Sequence, residues 1–245
     1  MKCVKSGSNI NVAGIVVILG LMMIATTPAA QAGVWPPGSS TPYGNTYGEW
    51  SATWIQWLLS IPAATNPALD TTGANCGVGQ SGPVWFLAGT FGTSETRNCT
   101  IPAGKSLFFP ILNGFFGAGV FDCFPTIPKV ACLLPTLRAA AAASMDSVTL
   151  QVELDGAPLV PAGSLSDFRV RSPEFAITFP DGNVFGLKRA GNVQRGTYLP
   201  NVADGYWVML LPLSPGPHTL HFKGTNTGGV FEGSVIEATY NLTQQ

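Results

Sequence analysis

Hydrophobic and polar residues alternate through much of the second half of the chain, residues 147–245. The clearest case is residues 148–154, in which every second residue is apolar and after which Asp155-Gly156 supplies a turn. Such alternation is typical of a strand with one buried face and one solvated face. Further strands are predicted at residues 84–87, 107–112, 175–179, 206–211, 219–223 and 236–242. Short strands separated by turns favour an antiparallel β-sandwich or a jelly roll, so the predicted fold class is mainly β.

Two segments have a helical pattern instead. Residues 48–59 place four large apolar side chains on one face and precede Pro62, which is expected to end the helix. The alanine run at 139–143 predicts a second helix over residues 136–145. We expect both helices to cover an edge or an end of the sandwich. The apolar face of the first helix consists of Trp50, Trp54, Trp57 and Leu58.

The first 32 residues have the pattern of a secretory signal peptide. Lys2 and Lys5 precede an uncharged apolar run at 12–24, and Ala30-Gln31-Ala32 supplies a small-x-small cleavage site. The run is shorter than the roughly 20 apolar residues that a membrane-spanning helix needs, so cleavage is favoured over a retained anchor. We therefore expect a secreted or periplasmic protein without a membrane span, cleaved near Ala32.

Residues 33–245 are then expected to form a single domain. The segment 33–48 is rich in Pro, Gly, Ser, Thr and Tyr, which indicates an extended lead-in to the first helix. The region 147–245 carries the clearest β pattern.

Four cysteines follow the predicted cleavage site: Cys76, Cys99, Cys123 and Cys132. An even number of cysteines in an oxidising compartment predicts two disulfides. Proximity in sequence favours the pairs Cys76–Cys99 and Cys123–Cys132 over the other two pairings. A zinc site would need CxxC-like spacing, which is absent, and we predict no metal and no cofactor.

Charge is scarce in this chain, and this limits the classes of function. Charged residues make up 10% of the sequence and the formal net charge is −1. Such a balance lacks the basic surface that nucleic-acid binding needs, so we expect no nucleic-acid partner. Few ionisable groups also leave few candidates for catalysis.

The two histidines do not form an obvious catalytic or metal pair. His218 and His221 are three residues apart, and positions i and i+3 of a strand point to opposite faces. They are interpreted as a turn residue and a surface residue. With no GxSxG motif in the chain, hydrolysis by a standard serine triad is disfavoured.

Paired carboxylates are the chemistry of glycoside hydrolysis and are the remaining catalytic hypothesis. Nothing in the spacing selects a pair, and Glu49 has an alternative role at the N-terminus of the first helix, where a carboxylate stabilises the helix dipole. The candidates are Glu49, Asp70 and Asp122, with Asp204 and Glu232 as further acidic residues predicted in loops or at element ends.

Two arginines, Arg169 and Arg171, lie two residues apart and therefore on one face of a predicted strand. We expect a surface ion pair with Glu153 or Glu174 rather than an anion-binding site.

Aromatic residues are concentrated near the first helix. Stacked aromatics can hold the C–H face of a sugar while polar groups bind its hydroxyls. The helical spacing favours a core position for the three tryptophans, whereas the two tyrosines of the lead-in are freer to meet a ligand. The candidate ligand-binding residues are Tyr43, Tyr47 and Trp50, and the candidate partner is a carbohydrate or another cell-surface component.

Several segments resemble a group of uncharacterised secreted bacterial proteins. They are Tyr47-Gly48-Glu49-Trp50-Ser51, Ile101-Pro102-Ala103-Gly104-Lys105, Phe108-Phe109-Pro110-Ile111-Leu112-Asn113, Asp204-Gly205-Tyr206-Trp207 and Pro215-Gly216-Pro217-His218-Thr219-Leu220. The resemblance spans most of residues 33–245. This group has no assigned activity, so the resemblance implies no catalytic residue.

The sequence thus predicts a secreted, disulfide-stabilised β-sandwich that acts in extracellular binding or as a structural component, without catalytic activity. The alternatives are a carboxylate-dependent polysaccharide hydrolase and a small-molecule binder with its pocket between the tryptophan helix and the sheet.

Overall fold

The period-2 segments form strands that pair into two five-stranded sheets in a computed structural model, which describes residues 33–38, 40–117, 133–160, 164–185 and 193–245. These residues belong to one compact unit, Gln31–Gln245. The strands are β1 (Val84–Phe86), β2 (Ser94–Ile101), β3 (Ser106–Gly117), β4 (Val148–Leu154), β5 (Ala157–Pro158), β6 (Arg169–Arg171), β7 (Phe175–Phe179), β8 (Gly196–Leu210), β9 (Gly216–Asn226) and β10 (Val235–Gln244).

Sheet A has the strand order β1-β3-β8-β6, with β7 also paired to β8. Sheet B has the order β2-β10-β9-β4-β5. The mainly β fold class is confirmed, but the purely antiparallel arrangement is wrong, because β1–β3 and β2–β10 are parallel pairs. The parallel pair β1–β3 arises because the chain leaves sheet A for β2 in sheet B before it returns as β3. The jelly-roll arrangement stays a prediction.

The first helix, α1 (Tyr47–Leu59), confirms the helical pattern at 48–59. Its N-terminus is a capping box: the Glu49 backbone N–H donates to Thr46 Oγ1 at 3.2 Å, and the Thr46 N–H donates to the Glu49 carboxylate at 2.7 Å. The helix ends one residue before its C-cap, Ser60, and thus before Pro62. The second helix, α2 (Leu134–Ala143), begins two residues earlier than expected.

The tryptophan face of α1 is buried against sheet A, as its spacing predicts. Each indole N–H also donates to a backbone carbonyl of a loop, so the helix is tied to three separate segments. The bonds are Trp50 Nε1 to Pro42 O (2.8 Å), Trp54 Nε1 to Leu87 O (3.0 Å) and Trp57 Nε1 to Val78 O (2.9 Å).

A second apolar cluster fills the space between the two sheets. The rings of Phe109 from sheet A and Phe222 from sheet B stack with centroids 5.0 Å apart. The two sheets approach each other closely at Gly224, where a Cβ would lie 2.5 Å from the Leu112 Cβ. A side chain at Gly224 would therefore push the sheets apart.

The disulfide Cys76–Cys99 is confirmed and ties the loop before β1 to β2. The same loop lies so close to β2 at Gly73, where φ is +93°, that a Cβ would be 2.1 Å from the Asn98 carbonyl oxygen. The predicted pair Cys123–Cys132, the carboxylate of Asp122 and the predicted signal peptide at 1–32 lie outside the described residues. Within the part of the chain that the structure describes, no helix is long and apolar enough to cross a membrane.

Candidate functional site

A groove of about 550 Å³ lies beside the second half of β3, where β1 has already ended. One wall comes from α1 and includes Trp54 and Leu58, and the opposite side comes from β10 and the segment before it, including Val235 and Ile236. No charged side chain of the described residues lines it. Its volume is within the range of small-molecule sites, which are mostly apolar with a few polar groups.

The rim of the groove carries two large apolar side chains that are open to solvent. Leu69 is 47% exposed and Phe91 is 50% exposed. Exposed side chains of this size beside a concave apolar surface are a feature of binding sites rather than of ordinary surface.

A buried arginine holds the two segments that carry this rim. Arg97, on β2, is only 1% exposed and forms no ion pair with any described carboxylate. Its guanidinium donates to four backbone carbonyls and one hydroxyl: Asp70 O (2.7 Å), Ala88 O (2.9 Å), Gly89 O (3.0 Å), Ala68 O (3.3 Å) and Tyr240 Oη (2.9 Å). Because these carbonyls belong to the segments on either side of the rim, Arg97 fixes the distance between them.

Two further polar side chains support the same wall. Asn66, 1% exposed, donates to Leu58 O at 2.7 Å and accepts from the Ala68 N–H at 3.0 Å, so it joins the end of α1 to the rim. Tyr240 donates to Ala88 O at 2.8 Å, and its complete burial raises the pKa of its hydroxyl, although Arg97 opposes that rise. The wall is therefore held by hydrogen bonds beneath it.

The polar side chains that line the groove differ in whether they have hydrogen-bond partners within the protein. Thr90 donates to Thr93 O at 2.7 Å, and Ser144 donates to Ala141 O at 2.7 Å. Asn226, at the end of β9, is 6% exposed, and its side-chain amide makes no hydrogen bond to any described residue. An amide without a partner in an apolar site is costly unless a ligand or water satisfies it.

The predicted carboxylates that the structure describes do not line this groove. Glu49 lies at the N-terminus of α1, where its hydrogen bonds with Thr46 lower the pKa of its carboxyl group. Asp70 accepts from the backbone N–H of Thr72 at 2.8 Å and of Asn75 at 2.7 Å, which shapes the loop behind Leu69. The structure does not bring Glu49 and Asp70 together as a lining pair, and the hydrolase hypothesis stays a prediction.

The three aromatic residues that are candidates for sugar binding differ in how far their side chains are exposed. Tyr47 is 2% exposed and Trp50 is 8% exposed, and their polar atoms bond inside the protein. Burial raises the pKa of Tyr47, whose hydroxyl donates to Trp35 O and accepts from the Met209 N–H. Tyr43 is 43% exposed, so it is the candidate aromatic with its ring open to solvent.

Arg169 and Arg171 form ion pairs with a different carboxylate from the ones expected. Arg169 Nε lies 2.9 Å from Asp204 Oδ1 and Arg171 Nε lies 3.3 Å from Asp204 Oδ2, rather than near Glu153 or Glu174. The hydrogen bond with Asp204 raises the pKa of Arg169 above its usual value. Asp204 is not in a loop but within β8 and is 1% exposed, so it joins β6 to β8.

His218 lies in a cluster that superficially resembles a catalytic triad. Its Nδ1 is 2.7 Å from Asp155 Oδ2, and its Nε2 is 3.2 Å from Ser214 Oγ. Its Nε2 is also 3.0 Å from the Ser214 carbonyl oxygen, which can only accept. Each ring nitrogen therefore lies beside an acceptor. A general base needs a free lone pair at Nε2, which the Ser214 carbonyl disfavours. We interpret the His218 ring as a structural link between the β4–β5 turn and the start of β9.

Comparison with known proteins gives little guidance. No protein-family model and no curated protein matches the chain. Among solved structures, a cysteine protease inhibitor from Entamoeba histolytica aligns over 65% of this chain and 95% of its own, with 9% sequence identity and a TM-score of 0.22. A TM-score of this size carries no argument about fold or function.

Proposed function

We propose that the protein is a non-catalytic binding protein that takes an uncharged, mainly apolar small molecule into the groove beside β3. The observation that carries the proposal is a groove of about 550 Å³ whose described lining holds no charged side chain. An apolar ligand gains by leaving water for such a surface, whereas a charged ligand would lose hydration without finding a counter-charge.

The proposal includes a location outside the cytoplasm, after cleavage near Ala32. The Cys76–Cys99 disulfide supports it, since structural disulfides persist mainly in oxidising compartments. The resemblance to secreted bacterial proteins agrees with the same location. A secreted carrier or receptor for apolar molecules is therefore our leading function, ahead of a carbohydrate-binding role for Tyr43.

The test is a titration of the folded protein with N-phenyl-1-naphthylamine, an uncharged fluorophore whose emission rises in apolar surroundings. We expect saturable binding at one site. Leu69→Asp, which places a charge on the rim, is expected to weaken binding by about tenfold or more, because an apolar ligand would remove water from a carboxylate that has no partner there.

The matched control is Leu199→Asp, since Leu199 is 58% exposed but does not line the groove. This variant is expected to bind the fluorophore as the unchanged protein does. Absence of saturable binding, or equal weakening by both substitutions, would contradict the proposal.

A further inference from the structure

The unpaired amide of Asn226 gives the apolar groove a buried polar point, in addition to the more exposed side chains of Asn113 and Ser234 that also line it. The backbone of Asn226 is fixed, because its N–H donates to Ser234 O at 2.9 Å and its carbonyl accepts from the Gly233 N–H at 2.9 Å. The residue is 6% exposed, lines the groove, and its side-chain amide has no partner among the described residues. The position of the amide is thus set by the fold, while its hydrogen-bonding capacity is unused.

The surroundings of Asn226 determine what could bind there. Most side chains of the lining are apolar, among them Met145 and Phe231, and the Ser144 hydroxyl already donates to Ala141 O. An amide offers both a donor and an acceptor. With no described cation in the lining, a carboxylate head group would stay uncompensated, whereas an uncharged group that donates and accepts would match both atoms.

We infer that the groove selects amphiphiles with an uncharged head that both donates and accepts hydrogen bonds, such as a primary amide or an alcohol, and that Asn226 binds that head. The apolar body of the ligand then lies along the remainder of the groove. This inference rests on the proposed function, because it assigns the head-group preference of the same site.

The experiment measures displacement of bound N-phenyl-1-naphthylamine by three ligands with the same ten-carbon chain: decanamide, decan-1-ol and decanoate. We expect the amide and the alcohol to displace the fluorophore at lower concentration than decanoate. In Asn226→Leu we expect the affinity for decanamide, relative to that for the fluorophore, to fall roughly 3- to 10-fold, the value of one hydrogen bond.

Two variants complete the design. Asn241→Leu makes the same substitution on the exposed face of β10, outside the groove, and is expected to change no affinity. Asn226→Asp keeps the side-chain shape but replaces the donor with a charged acceptor, so decanamide affinity is expected to fall by more than fluorophore affinity, and this variant serves even if Asn226→Leu fails to fold.

The outcomes separate the two proposals. If the fluorophore binds but decanamide affinity is the same in Asn226→Asp and the unchanged protein, the role of Asn226 is overturned and the apolar groove stands. If decanoate binds as well as decanamide, the head-group preference is overturned. If the fluorophore does not bind at all, both proposals fail.

Discussion

Two regions of the molecule each contain arginine side chains with several hydrogen-bond acceptors, and the two regions compensate the arginine charge in different ways. Arg97 lies behind the groove wall (residues 66–70 and 88–92) and is 1% exposed. Its guanidinium donates hydrogen bonds only to uncharged acceptors. In the Asp204 cluster (Asp146, Arg169, Arg171 and Asp204), the arginines meet carboxylates instead. Both arrangements satisfy cations, but they have different consequences for what lies beside them.

The difference shows how a cation can be used beside an apolar site. A carboxylate paired with Arg97 would place a second charge close to the groove and disfavour an uncharged ligand. Carbonyl oxygens satisfy the guanidinium through charge-assisted hydrogen bonds and are already part of the segments that need to be held. The four residues of the Asp204 cluster do not themselves line the groove, although Asp204 is the cross-strand partner of Gly114, which does.

The largest effect is expected for Arg97→Met. Four backbone carbonyls and the Tyr240 hydroxyl would lose their donor in a buried site, so the free energy of unfolding should fall by about 3–5 kcal/mol. Urea denaturation measures this value. Arg195→Met is the matched control, because Arg195 pairs with Asp181 in solvent and should matter by less than about 1 kcal/mol. Similar losses in both variants would remove the special role of Arg97.

An intermediate effect is expected for Asp204→Asn, which keeps the side-chain shape but removes the charge. Arg169 keeps Asp146 and the Ala142 carbonyl as acceptors and is 25% exposed, so we expect a loss of about 2 kcal/mol in the free energy of unfolding. Fluorophore affinity in the groove should not change, whereas Arg97→Met should lower it where that variant is folded. A loss of groove binding in Asp204→Asn would show that the two regions are not independent.

The smallest effect concerns pH and the loop carboxylate of the groove wall. Burial raises the pKa of Asp70, but the hydrogen bonds from Asn75 and Thr72 together lower the pKa by more than burial raises it. The folded-state pKa therefore lies below the usual value. The stabilisation is therefore present above the unfolded pKa of about 3.8 and is lost as the pH falls through the folded pKa. Asp70→Asn should flatten the acid side of a plot of unfolding free energy against pH.

The control for this measurement is Asp181→Asn, because Asp181 is 80% exposed on its side chain and pairs only with an exposed arginine. Its acid slope should match that of the unchanged protein. An unchanged slope in Asp70→Asn would mean that the loop behind Leu69 is not held by this carboxylate.

Strong periodicity made part of the fold predictable. Residues 48–59 and 148–154 carry clear helical and strand patterns, and they form α1 and β4. In contrast, β2 has no clear strand pattern in the sequence, because one of its inward-facing positions is Arg97, and a charged residue there hides the alternation of buried and exposed positions. The burial of Arg97 depends on carbonyls from other segments, which a local pattern does not reveal.

The same limit applies to the partner of Arg169. Asp204 is 35 residues away in sequence, so the pairing depends on the register of β6 against β8. Local sequence pattern points to acidic residues close to the arginines or in loops. It does not indicate a buried carboxylate in the middle of a strand that is covered on both faces.

The groove was anticipated only as an alternative, a pocket between the tryptophan helix and the sheet. Its position follows from the short length of β1, which pairs with β3 over Val84–Phe86 and leaves the rest of β3 beside the groove. Strand ends are poorly determined by local pattern. Asn226 also carries no sequence signal, since an asparagine after a strand is usually a turn residue.

The position of β10 in sheet B has a consequence for how the chain acquires its structure. β10 lies between β2 and β9, and it pairs Glu237 with Ser94, residues that are far apart in sequence. During synthesis from the N-terminal end, β2 emerges long before β10, its only neighbour in the sheet order. Sheet B can close only after β10 has emerged, so we expect this sheet to fold slowly, as is typical of folds with many non-local contacts.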